Sequence, residues 1–283
     1  MSIALAQRLM IALTYGFALL GILTGCADPS RHAEALAHMG NLHRDQVATD
    51  SFVLTSFYRL TRQDLPLIVY IEGDGLAWRN RTKPSTNPTP HQAMGLMLAA
   101  VDPAANVVYL ARPCQFTPMP ANPLCDKAYW TNKRFADEVV IAMNQAVSHY
   151  ASKISGQPIH LIGYSGGGAL AVLIAARRND VSSVRSVAGN LDQAEVNRLH
   201  HVSAMPESLN AIDVAPHVAG IAQIHFSGGD DTIVPPFIAQ RFVTATGGQC
   251  ARAYLVPDMN HEDDWASRWP ELLRILPSCA TRH

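Results

Sequence analysis

The sequence predicts an α/β fold: one mostly parallel central sheet with helices on both faces. Three observations lead there. Strand-length apolar runs alternate with helix-length segments from residue 52 to the C-terminus. Several runs, such as Asn106 to Leu110 (NVVYL), are apolar almost throughout. Strands buried on both faces of a parallel sheet have that composition. Turn residues rich in Gly, Asp and Pro follow the runs, at the ends where such sheets bind ligands.

The elements follow in order. Residues 26–50 are polar with scattered His and Ala, and are expected to form a tether leading into a short helix, ahead of a folded domain at 51–283. SFVLTSFYRL alternates apolar and polar residues, the pattern of a half-buried edge strand. LPLIVYI (65–71) is a buried strand ending at Glu72-Gly73-Asp74-Gly75. A Pro-rich loop (80–90), a helix (91–102) and a strand (106–110) come next. ARPCQFTPMPANPLC (111–125) is a long irregular loop, and such loops in compact domains are usually functional. Residues 131–153 are an amphipathic helix with a Thr or Asn cap. Strand 158–162, helix 168–178 and strand 181–188 follow. Residues 189–218 are irregular and His-rich, the one candidate for a small cap. Strand 221–227, helix 236–246, strand 251–256, the loop DMNHEDDW and a terminal helix complete the chain.

Composition narrows the function. The chain has 283 residues, 48% hydrophobic, with a formal net charge of −1. A dedicated nucleic-acid surface would need a basic excess. At the N-terminus, Arg8 precedes LMIALTYGFALLGILTGC, an apolar run short for a membrane span and built like an export signal over residues 1–25. Leu23-Thr24-Gly25-Cys26 resembles the lipobox of bacterial lipoproteins. That resemblance implies lipidation at Cys26 and attachment to the cell envelope. Ala27, not Asp, follows the cysteine, which favours the outer membrane facing the periplasm. Four cysteines then remain: Cys114, Cys125, Cys250 and Cys279. An oxidising compartment favours pairing, and three connectivities exist. Cys114 with Cys125 is the most local and leaves Cys250 with Cys279. None has metal-ligand spacing, and no metal or cofactor is expected.

The chemistry centres on Gly163-Tyr164-Ser165-Gly166-Gly167 between a strand and a helix. This is the G-x-S-x-G pattern of a nucleophile elbow, in which the flanking residues must be small because the serine backbone is strained. The Gly166 N–H is placed to bind a developing oxyanion. A serine hydroxyl needs a base, and the base needs an orienting acid. After Ser165 come Asp230-Asp231-Thr232-Ile233-Val234-Pro235 and then Asn260-His261, each behind its own strand. In this order the chain resembles the α/β-hydrolases over residues 50–280. The family often carries its acid in D-x-x-V-P, which Asp231 matches better than Asp230, and its histidine in the loop after the last strand, where His261 lies. The resemblance implies a second oxyanion N–H from the 70–75 loop: Asp74, with Gly75 as the alternative. Many members have His-Gly there; this chain has Glu72-Gly73, so Glu72 is free to organise the loop. IEGDGLAW also resembles a subset of exported bacterial hydrolases.

Each residue has a plainer alternative. Ser165 could be a structural turn, Asp231 a helix N-cap and His261 a surface loop residue. His200, His201, His217 and His225 are expected to be solvated or satisfied in the core. Tyr129 and Trp130 could line a pocket or simply pack, and Arg112 and Trp78 carry the same ambiguity. The expectation is a serine hydrolase acting on a small-molecule ester, with Ser165, Asp231 and His261 as its triad, attached to a membrane only through its lipid. The competing class is a catalytically silent envelope lipoprotein that uses the fold for binding.

Overall fold

The apolar runs become the strands of one eight-stranded sheet. The computed structural model describes residues 28–80, 82–154 and 156–280. The strands are β1 (His43–Ala48), β2 (Val53–Leu60), β3 (Leu67–Ile71), β4 (Asn106–Leu110), β5 (Ile159–Tyr164), β6 (Val181–Val187), β7 (Ala222–Gly228) and β8 (Ala251–Val256). Their spatial order is β1-β2-β4-β3-β5-β6-β7-β8. β2 runs antiparallel to both its neighbours, and all other pairs are parallel. The helices are α1 (Pro29–Met39), α2 (Met94–Val101), α3 (Asp137–Ala151), α4 (Gly166–Ala175), α5 (Gln193–Leu199), α6 (Phe237–Ala245) and α7 (Trp265–Leu272).

The unbroken apolar strands follow from having a core on each face. Leu67, Val69 and Ile71 of β3 face a core built with α3, α4 and α6. Tyr70 between them faces the other, built with α1, α2 and α7. β4 divides the same way, Val108 and Leu110 to one side, Val107 and Tyr109 to the other. Alternate side chains point to opposite faces, so both sets must be apolar.

Three expectations are corrected. The sheet edge is β1, not β2. β1 lies inside the segment expected to be a tether, and the folded unit takes in α1 as well, so it begins ahead of residue 51. Of HRDQVA only Val47 is buried, because an edge strand has little surface to bury; its polar sequence concealed it. The helix expected over 131–153 begins at Asp137, after a 3-10 turn at Lys127–Trp130. Its N-cap is Ala136, with no side-chain cap; Asp137 and Glu138 in the first turn favour the helix dipole instead. The 189–218 segment contains α5 and a 3-10 helix, Ala211–Val218. Ala211, Ala215 and Val218 are fully buried beside α4 and α6, so the second half belongs to the core and not to a cap.

Cys114 is bonded to Cys125 and Cys250 to Cys279. The expected signal and Cys26 lie outside the described residues. Among the described residues no helix is long and apolar enough to cross a membrane. The carboxyl ends of β3, β4, β5, β7 and β8 deliver residues 72–75, 111–112, 164–166, 229–231 and 257–261 to one edge of the sheet.

Candidate active site

At the end of β5 the chain turns sharply into α4. Ser165, at the turn, has φ 50 and ψ −120, a region that side-chain-bearing residues rarely occupy. The turn is held from both sides: the Ser165 N–H donates to Val187 O at 2.9 Å, and its carbonyl accepts from Gly168 and Asn190, each at 3.0 Å. The bend leaves no room for side chains beside it. A Cβ on Gly163 would lie 2.1 Å from the Gly167 carbonyl oxygen, and one on Gly167 2.2 Å from that of Ile71. Ser165 itself stays half-exposed above the sheet edge.

His261 reaches this serine. Its Nε2 is 3.0 Å from Ser165 Oγ, and its Nδ1 is 2.8 Å from Asp231 Oδ2. The carboxylate that meets the histidine is that of Asp231; Asp230 beside it is exposed. Asp231 Oδ1 accepts the N–H groups of Ile233 at 2.9 Å and Val234 at 2.7 Å. These bonds fix the carboxylate plane and aim the other oxygen at the histidine. The helix-cap alternative is only half true: Asp231 caps its own turn, while α6 has Pro236 as N-cap. With Nδ1 donating to a carboxylate, Nε2 is left as an acceptor toward the serine hydroxyl.

Two side chains that sequence motifs did not single out hold the histidine. Tyr164, the variable residue of the elbow, donates its hydroxyl to the His261 carbonyl at 3.0 Å, and its ring lies 5.6 Å from the imidazole. Trp265 Nε1 donates to the same carbonyl at 3.1 Å. The loop His is thus tied to the strand that carries the serine and to α7.

The 72–75 loop lies across from His261. Glu72 is buried; it accepts from Gly73 N at 2.9 Å, Gly95 N at 3.1 Å and the Tyr109 hydroxyl at 3.0 Å. Burial raises its pKa, against the pull of those donors. It joins the loop to the first turn of α2, the organising role expected for it. Gln115 adds a bond from Nε2 to the Gly73 carbonyl at 3.0 Å. Asp74 sends its carboxylate toward Gly166, accepts a hydrogen bond from Arg112 and forms an ion pair with Arg134 at 3.0 Å. Burial would raise the Asp74 pKa; the charges of Arg134 and Arg112 outweigh it and hold the carboxyl below its usual value. Among the described residues neither the Asp74 nor the Gly166 N–H is engaged by another protein group.

The remaining expected residues fall elsewhere or at the rim. Trp130 is buried and, with Arg112 and Tyr129, lines a narrow cleft beside Asp74. Trp78 is exposed. His201 and His217 face solvent, and His200 bonds the Ile233 carbonyl at 2.8 Å. His225 is fully buried, with Nδ1 at 2.9 Å from Ser186 Oγ.

No protein-family model matches this sequence, and no curated protein does. Solved structures do match its shape. An esterase of Pyrococcus furiosus superposes with a TM-score of 0.58 at 11% identity, covering 84% of this chain and 93% of its own. A proline iminopeptidase of Mycobacterium smegmatis gives 0.57 at 14% identity, covering 82% and 95%. Est1E of Butyrivibrio proteoclasticus gives 0.57 at 12% identity, covering 82% and 97%. At such identities the likeness concerns the backbone, and together with the strand order it shows that this chain has the α/β-hydrolase fold.

Proposed function

We propose that the protein is a serine hydrolase acting on carboxylic esters through an acyl-enzyme. The observation that carries this reading is the hydrogen-bonded line from Asp231 through His261 to a serine on a strained, half-exposed turn. Ser165 Oγ attacks the ester carbonyl while His261 Nε2 takes its proton. The carbonyl oxygen becomes an oxyanion, and the N–H groups of Gly166 and Asp74 stabilise it. The tetrahedral intermediate collapses, the C–O bond to the alcohol breaks, and His261 returns the proton to the leaving oxygen. Water then enters by the same route and releases the acid. Asp231 stays ionised, keeps the Nδ1–H tautomer and stabilises the imidazolium.

The site of action is the bacterial envelope, with the chain held to the outer membrane by acyl groups on Cys26. That part rests on the N-terminal sequence alone. A fluorophosphonate probe tests the chemistry: mature protein should label at Ser165, and Ser165→Ala should not. Absence of label on folded wild-type protein would end the enzyme reading. Cys26→Ser should release the protein from membranes, and retention there would refute lipid anchoring.

A further inference from the structure

An oxyanion donor has to be aimed before the charge appears. The Asp74 N–H belongs to the peptide unit that begins at the Gly73 carbonyl, and that unit is planar. Whatever holds the carbonyl therefore sets the direction of the N–H. The unit lies beyond β3, which ends at Ile71, so no sheet hydrogen bond fixes its rotation. It sits against the elbow. A Cβ on Gly73 would lie 2.9 Å from Tyr164 Cδ1, and one on Gly166 would lie 2.0 Å from Asp74 Oδ1. The residues on either side of Ser165 thus both touch the 73–74 segment.

Gln115 supplies the missing hold. Its Nε2 donates to the Gly73 carbonyl at 3.0 Å, and among the described residues no other group does. The peptide is trans, so the Asp74 N–H points away from Gln115. Gln115 is 1% exposed, a burial that an amide tolerates only when its polar atoms are used. Its Oε1 accepts the Arg112 N–H at 3.1 Å, which fixes which end of the amide faces Gly73. Gly75 leaves the passage open, since a Cβ there would lie 2.6 Å from Gln115 Nε2.

The backbone that carries Gln115 is held in an uncommon shape. Cys114 and Phe116, its two neighbours, have φ 71 and φ 57, in the left-handed region that side-chain-bearing residues seldom adopt. Such conformations persist where the surroundings over-determine them. Here Cys114 is bonded to Cys125, the Phe116 N–H donates to Thr89 Oγ1 at 2.9 Å, and Arg44 Nη2 donates to the Phe116 carbonyl at 2.9 Å. The Gln115 N–H itself donates to the Arg112 carbonyl at 3.1 Å.

We propose that Gln115 is a positioning residue for the oxyanion hole: by gripping the Gly73 carbonyl it aims the Asp74 N–H at the oxygen of the reacting ester. This rests on the hydrolase reading above. A donor fixed in advance stabilises the oxyanion without reorganising during the reaction. Gln115 acts through Asp74, so its removal should weaken the transition state and leave substrate binding nearly unchanged.

Gln115→Met tests this, because it keeps the length of the side chain and removes its donor. Losing an oxyanion donor outright costs about 10² to 10³ in kcat. With the donor present but misaimed, kcat on a 4-nitrophenyl ester should fall about tenfold or more while KM stays within about threefold. A trifluoromethyl ketone supplies the second readout. Ser165 Oγ adds to its carbonyl carbon, the serine proton passes to His261, and the ketone oxygen becomes an oxyanion. Its inhibition constant should rise by about the same factor as kcat falls. A merely structural Gln115 would lower Tm but leave kcat per folded site and ketone affinity unmoved, with folded sites counted by fluorophosphonate titration. A folded variant with kcat within about threefold of wild type, or with kcat lowered and ketone affinity intact, overturns the proposal. If the variant does not fold, nitrogen-15-labelled wild type decides. The amide resonances of Asp74 and Gly166 should both move when the ketone is added, and movement at Gly166 alone overturns the proposal. Labelling and turnover that ignore Gln115→Met remove the positioning role and spare the hydrolase. A wild type that neither labels at Ser165 nor turns over any ester removes both.

Discussion

Asp231→Asn gives the sharpest test of the proposed chemistry, because the structure dictates how the amide must sit. Asp231 Oδ1 takes the N–H groups of Ile233 and Val234 at 2.9 and 2.7 Å. An asparagine must keep its carbonyl oxygen there, so its NH₂ occupies the Oδ2 position, 2.8 Å from His261 Nδ1. An amide NH₂ only donates. Nδ1 must then accept, and the ring proton moves to Nε2, facing Ser165 Oγ across 3.0 Å. The base is occupied by its own proton, and the imidazolium loses its counter-charge. The same Asp→Asn change in a serine-protease triad lowers kcat by about 10⁴, which is about 5 kcal/mol of transition-state stabilisation. The fold should survive, since shape and turn bonds are kept. Asp230→Asn is the control: the side chain is exposed, and only its backbone N–H is used, on Met259 O at 3.0 Å. Its kcat should stay within about twofold, the range of ordinary surface changes. The assay is turnover of a 4-nitrophenyl ester with circular dichroism to confirm folding. A folded Asp231→Asn protein within tenfold of wild type, or a larger loss in Asp230→Asn, would refute the reasoning.

Three further outcomes are expected. Gly163→Ala places a Cβ 2.1 Å from the Gly167 carbonyl and should destabilise the protein by about 3 kcal/mol or more in denaturant unfolding, with loss of ester turnover. Tyr164→Phe removes one of the two donors on the His261 carbonyl; it should lower kcat about fivefold, near 1 kcal/mol, with KM little changed. Burial pushes the His225 pKa down to about 3 from an ordinary 6.5. Between those values the unfolded chain binds a proton that the folded protein refuses. The stability from neutral His225 is therefore complete above about pH 6.5 and is lost as pH falls toward 3, by about 1.4 kcal/mol per pH unit. His225→Gln, which can still meet Ser186, should flatten that limb in urea titrations at several pH values; an unchanged slope would show that His225 is not its source.

Much of this was legible in the chain because it rests on local physics. Strands buried on both faces need continuous apolar runs, and those from residue 65 onward lie where their sequences indicated. The elbow announces itself because only small residues fit around Ser165. Asp231 and His261 follow in chain order because each occupies a loop after its own strand. Where local physics is weak, sequence was silent. β1 is polar because an edge strand buries little, so HRDQVA resembled a tether. Helix α3 has no side-chain cap, so its start drifted from the Thr and Asn residues upstream.

The sequence by itself determined the α/β architecture and the serine at its tight turn, since each depends on residues within a few positions of one another, and it laid out Asp231 and His261 after Ser165 in chain order. Between Asp230 and Asp231 it gave only a preference for Asp231, by the D-x-x-V-P pattern, since the two lie side by side. That choice was made by tertiary structure: the turn N–H groups orient one carboxylate toward a histidine 30 residues later and leave the other in water. Only the folded chain joined Tyr164 and Trp265 on one carbonyl, and only the folded chain set Arg112 and Arg134 against Asp74. Charges so far apart along the sequence acquire a common field only when neighbouring strands end at the same edge of the sheet.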